Sequence, residues 1–96
     1  MSESKDRNEL KQRLAQAKRI ADGALDPLTK ELIYVAISMT NQCGYCIASH
    51  IAGARSKGMT DDQLKELIAV VGFANANNRV VAGYQVEIDE RFRSAS

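Results

Sequence analysis

Thr60 and Gln63 stand three residues apart, directly ahead of the apolar run that begins at Leu64. That is a capping box, in which side chain and backbone satisfy each other's orphan donors, and it commits the segment "MTDDQLKELIAVVGFA" to a helix. Asp61 and Asp62 fall where the positive end of the helix dipole favours them. The same punctuation recurs upstream. Asp26 is a good N-cap and Pro27 suits the first helical position, so "DPLTKELIYVAISMT" reads as a helix despite its β-branched middle. Its cap, its length and the want of a partner strand decide the matter.

Ahead of it, Leu10, Leu14, Ala17 and Ala21 recur at helical spacing, a packing helix stopped by Gly23. A break at Asn41 and Gln42 leads into a third helix from Cys43 to Lys57, ended by Gly58. On the fourth, Leu64, Leu67, Ile68, Val71 and Phe73 are the expected buried face. The Asn-rich "NANN" predicts a break, and "RVVAGYQVEIDERF" a last helix. The reading is an all-α chain, a small helical bundle of about five helices forming a single domain over 1–96, with residues 1–6 expected to be disordered.

A bundle of 96 residues with no Trp must build its core from Ala, Leu, Ile and Val. Such a core stabilises a monomer thinly, and association into a homo-oligomer is the expected remedy. A formal net charge of +1 with both signs interspersed offers no basic stripe for nucleic acid. The longest apolar stretch, Ile68 to Ala74, is too short to span a membrane. The polar opening "MSESKDRNEL" shows no secretory signal, so a cytoplasmic location is expected. In that compartment two cysteines point to catalysis or metal binding rather than a permanent disulfide.

Both cysteines and the only histidine lie within "NQCGYCIASH". On a helix, Cys43, Cys46 and His50 fall within roughly 60° of one another. Cys43 and Cys46, one turn apart, have a Cα separation of about 5 Å, inside the disulfide range. Cys43 would sit at a helix N-terminus, where free N–H groups stabilise a thiolate. His50, one turn beyond Cys46, is placed to exchange a proton with its sulfur. A structural zinc site wants four ligands, and with Glu31 as a fourth the other three would crowd one helix, so no metal is expected. Heme attachment needs a histidine directly after the second cysteine, where Ile47 stands. Two inert cysteines beside a surface histidine remain an alternative. Glu31 lies amid Leu28, Leu32 and Val35; it either faces solvent or, if its helix packs on the cysteine helix, accepts a hydrogen bond from His50.

Glu31, Cys43, Cys46 and His50 together, E-x11-C-x2-C-x3-H, resemble the signature of the AhpD-like alkylhydroperoxidases of the carboxymuconolactone decarboxylase superfamily. The likeness runs from about Leu25 to Gly83, through "TNQCGYCIASHIAGARSKGMTDDQL" and a fainter "FANANNRVVAG". The resemblance implies an all-helical fold assembling as trimers or hexamers. It implies reduction of organic hydroperoxides through a reversible Cys43–Cys46 disulfide, with no bound cofactor and with an external dithiol donor such as a lipoylated protein. By this similarity Cys46 attacks the peroxide, Cys43 resolves, and His50 with Glu31 relays protons. The best-known members carry a histidine just before the second cysteine; Tyr45 stands there, an auxiliary hydrogen-bond donor but a poor base. The alternatives are a general dithiol–disulfide oxidoreductase using the same residues and a non-catalytic oligomeric redox sensor.

Overall fold

The computed structural model describes residues 3–93, and every element in it is a helix: α1 Glu3–Ala21, α2 Pro27–Thr40, α3 Gly44–Ser56, α4 Asp61–Gly83 and α5 Glu90–Arg93. The N-caps of α2 and α4 are those the sequence predicts. Asp26 accepts the Thr29 backbone N–H at 3.1 Å and also the Thr29 hydroxyl, bonds that hold its carboxyl below the usual range. Thr60 and Gln63 exchange bonds of 3.1 and 2.9 Å.

Three helices end in the same way. After α2, Gln42 turns into the left-handed region (φ 58°) and donates to the Met39 carbonyl, while the Cys43 N–H reaches the Ser38 carbonyl at 3.0 Å. After α3, Gly58 (φ 101°) and Met59 close onto Arg55 and Ala54. After α4, Gln85 (φ 54°) and Val86 close onto Ala82 and Val81. Each motif satisfies some of the last carbonyls and ends the helix.

α2 is the hub, packed against both α3 and α4. The core is small: Val35, Ala54, Met59 and Val71 are buried, with Ser38 beside them. Leu64 and Leu67 are half-buried on the α2-facing side of α4. Ile68 and Phe73, expected in that face, point outward, Phe73 at 71% exposure. Phe73 lies about 200° around the axis from Val71, which turns it away from α2.

Three further expectations change. The polar opening, expected to be disordered through residue 6, is helical from Glu3; residues 1 and 2 lie outside the described set. α4 runs straight through "NANN", because Asn75 is half-buried and its amide donates to the Thr40 hydroxyl of α2 at 3.1 Å. A helix interior tolerates Asn when its side chain finds such a partner. The expected last helix over 79–92 is instead cut at Gly83 by the left-handed turn at Gln85, leaving only α5 beyond it.

α1 is not the packed helix its periodicity predicts. Leu10, Leu14 and Ile20 are all more than half exposed, and no described side chain of α1 is buried. Its C-terminus is tied to α2 by Lys30, whose ammonium donates to the Ile20 carbonyl at 2.5 Å. The chain is correspondingly open. Its radius of gyration is 17.7 Å, against about 12–13 Å for a compact domain of this length.

Candidate active site

The turn that ends α2 delivers Cys43 directly to the start of α3. Cys43 is the N-cap, one residue outside the helix expected to include it, and its sulfur accepts the Cys46 N–H at 3.3 Å. A cysteine replaces the usual oxygen acceptor there. The two cysteines form a disulfide with Cα atoms 5.3 Å apart, the separation expected for one turn. Both sulfur-bearing residues line a cavity of about 460 Å³, walled mainly by Ile33, Tyr34 and Ile37 of α2.

His50 lies on the same helix and turns toward α2. Its Nδ1 donates to Glu31 Oε2 at 2.7 Å, so Nε2 is left as the proton-accepting nitrogen. Glu31 therefore takes the paired course, half-buried against the cysteine helix. The hydrogen bond from His50 is the main cause that holds its carboxyl below the ordinary range; partial burial opposes this, and Lys57 adds to it. Lys57 Nζ stands 3.4 Å from the other oxygen, Oε1.

Tyr34 was not among the residues singled out from sequence, yet its ring stacks on the His50 imidazole at 3.9 Å between centroids and 15° between planes. It restricts rotation of the imidazole and covers one of its faces. Tyr34 also lines two spaces: the cavity over the cysteines, and a second of about 260 Å³ lined as well by Ile20, Lys30, Glu31, His50 and Lys57. Its position three residues after Glu31 placed it on the Glu31 face of α2, which is the signal sequence reasoning could have used. Lys57, seven residues after His50, carries the same kind of signal on α3.

Tyr45 is not brought into this arrangement. Its side chain is 85% exposed, and its phenol makes no hydrogen bond among the described residues. Two grooves of about 340 and 330 Å³ run between α2 and α4, with mainly apolar walls; neither includes a cysteine or the histidine.

The arrangement thus places a disulfide at one helix start, with a carboxylate-paired imidazole one turn further on. A model of the carboxymuconolactone decarboxylase family matches residues 9–86. A Paracoccus denitrificans protein described as uncharacterized protein 4 in cox locus is 52% identical over 50 residues, 52% of this chain and 45% of that protein. The alkyl hydroperoxide reductase AhpD of Hyphomonas neptunium is 33% identical over 63 residues, 66% of this chain and 35% of that protein. The chain therefore spans less than half the length of these two relatives. The crystal structure of an alkylhydroperoxidase AhpD core from Rhodospirillum rubrum aligns with a TM-score of 0.78 at 45% identity, covering 93% of this chain and 67% of that one.

Proposed function

Because the chain belongs to the carboxymuconolactone decarboxylase family, we propose that its place within that family is as a thiol-dependent peroxidase of the AhpD type. The observation that carries this reading is the Cys43–Cys46 disulfide, followed one turn later by a histidine whose Nδ1 is held by Glu31. A decarboxylase has no use for a redox couple there.

In the reduced protein, His50 Nε2 takes the Cys46 proton, directly or through water, and Glu31 stabilises the imidazolium that forms. The Cys46 thiolate attacks the terminal oxygen of ROOH. The O–O bond breaks, Cys46 becomes a sulfenic acid, and the departing alkoxide leaves as ROH with the imidazolium proton. Cys43, assisted by its place at the start of α3, then attacks the Cys46 sulfur. The S–O bond breaks, water leaves with the Cys43 proton, and the Cys43–Cys46 disulfide closes. Sulfur has lost two electrons and the peroxide has gained them. An external dithiol restores the pair by two exchange steps, and a lipoylated protein is the donor we infer. The apolar walls of the larger cavity fit a peroxide with a hydrocarbon body.

The exposed Tyr45 favours a second reading. Without a base between the cysteines, the same couple would serve as a general dithiol–disulfide oxidoreductase. Cumene hydroperoxide and dihydrolipoamide separate the two. Peroxide-dependent oxidation of the dithiol, abolished by Cys43→Ser and by Cys46→Ser, supports the peroxidase, and peptide mapping should then recover a linked Cys43–Cys46 fragment. Turnover of disulfide substrates with no peroxide consumption would replace it with the second reading.

A further inference from the structure

Glu31 reaches His50 by lying across the backbone of α3, and the residue under it is Gly53. A Cβ built at Gly53 would stand 3.0 Å from the Glu31 Cδ, 3.0 Å from Oε2 and 3.1 Å from Oε1. All three contacts would be tighter than the great majority of real Cβ contacts, so the carboxylate would have to draw back by a few tenths of an ångström. Glycine costs a helix interior stability relative to alanine, and the backbone here is not in the left-handed region that calls for it. His50 and Gly53 of α3 lie along one stripe with Lys57, the C-cap of that helix, with Gly53 about 60° and Lys57 about 20° around the axis from His50. Along that stripe come a donor for Oε2, a gap, and a cation beside Oε1. From α2, the charged or titratable neighbours of the same space are Lys30 and Tyr34. The Lys30 ammonium is engaged by the end of α1.

We infer that Gly53 is a positioning residue of the relay: it acts through Glu31, and the side chain it lacks is the space in which the carboxylate is held against His50. The inference rests on the peroxidase reading for its consequence in rate, and on geometry alone for its consequence at His50. A methyl group at position 53 meets the far end of a flexible side chain rather than packed backbone. The carboxylate gives way and the fold does not.

The test is Gly53→Ala in the full chain, reduced, with and without Glu31→Ala. His50 is the only histidine, so its ¹⁵N resonances report the tautomer without ambiguity. The parent protein should hold the proton on Nδ1, and Gly53→Ala should show the mixed tautomers of an unpaired imidazole. In the same variant the Glu31 carboxyl, followed by ¹³C NMR and assigned with Glu31→Gln, should titrate closer to the ordinary range. Peroxide consumption should fall roughly five- to thirty-fold, the difference between a charge-assisted and an absent or neutral bond to the imidazole. The melting temperature should stay close to the parent's, since the helix preference for alanine offsets the lost Glu31–His50 bond. In the Glu31→Ala background, adding Gly53→Ala should alter neither tautomer nor rate.

An unchanged tautomer and carboxyl titration in Gly53→Ala would overturn the inference. So would a loss of melting temperature that tracks the loss of rate, or an effect on tautomer that persists without Glu31. A parent protein that consumes no peroxide refutes the peroxidase reading instead, and the two NMR readouts still decide the role of Gly53.

Discussion

Removing the imidazole at His50 should be the most damaging single change that leaves the cysteines intact. In the structure His50 presents Nε2 as acceptor because Nδ1 is committed to Glu31 at 2.7 Å. His50→Ala deletes the base, and the Cys46 thiol should then ionise near the free cysteine value of about 8.5. Losing a general base costs on the order of 10²–10³-fold in the attack on peroxide, which is about 3–4 kcal/mol of barrier. Glu31→Gln should be milder. It keeps an acceptor oxygen but turns a charge-assisted bond into a neutral one, a difference of about 1–2 kcal/mol. That converts to a slowing of roughly five- to thirty-fold. The order His50→Ala, then Glu31→Gln, then parent follows from which atom handles the proton and which only orients it. Single-turnover oxidation by cumene hydroperoxide, measured by stopped flow from pH 5 to 10, gives both rate and apparent thiol pKa. In His50→Ala the rate should recover toward the parent's at alkaline pH, where thiolate forms unaided. A neutral-pH rate and pH profile in His50→Ala that match the parent would refute the relay. The cysteines would then have to carry the chemistry alone.

The protein should assemble in solution. Its accessible surface is 8018 Å², roughly half as much again as the 5,400 Å² or so typical of a compact monomer of its mass, so light scattering at micromolar concentration should give a trimer or hexamer. A mass of 10.5 kDa would refute this. The Glu31 carboxyl, held low by His50, contributes stability that is fully present above its unfolded value and is lost as pH falls through its lower folded value. The stability difference between the parent and Glu31→Gln should therefore shrink in acid urea titrations below about pH 4. Gln42 holds a left-handed conformation at φ 58°; Gln42→Gly should raise stability by about 0.5–1 kcal/mol in chemical denaturation, with the Cys43 cap unchanged.

How much of this was legible before folding depends on the range of each interaction. The helix starts at Asp26 and Thr60 were readable because a cap is a contract between residues three apart, closed by a side chain and a nearby N–H. The Cys43–Cys46 bridge was readable for the same reason, since one helical turn sets its Cα separation. The break forecast at "NANN" failed because Asn75 is kept in the helix by Thr40, a partner 35 residues away that no local pattern reveals. Gly83 and Gln85 ended α4 by a left-handed turn hidden inside an otherwise helical pattern. Glu31 is the sharpest case. From sequence it could face solvent or His50, and the choice depends on the rotation of α2 against α3, set where Val35, Ala54 and Met59 bury themselves. Once that packing is made, Tyr34 comes to lie on the imidazole, Lys57 beside the carboxylate and Gly53 beneath it. Sequence alone determined the helix starts at Asp26 and Thr60 and the spacing of the cysteine pair, because their causes lie within a turn. Tertiary packing decided the Glu31–His50 pairing, because every contact that orients His50 from outside α3 crosses from one helix to another.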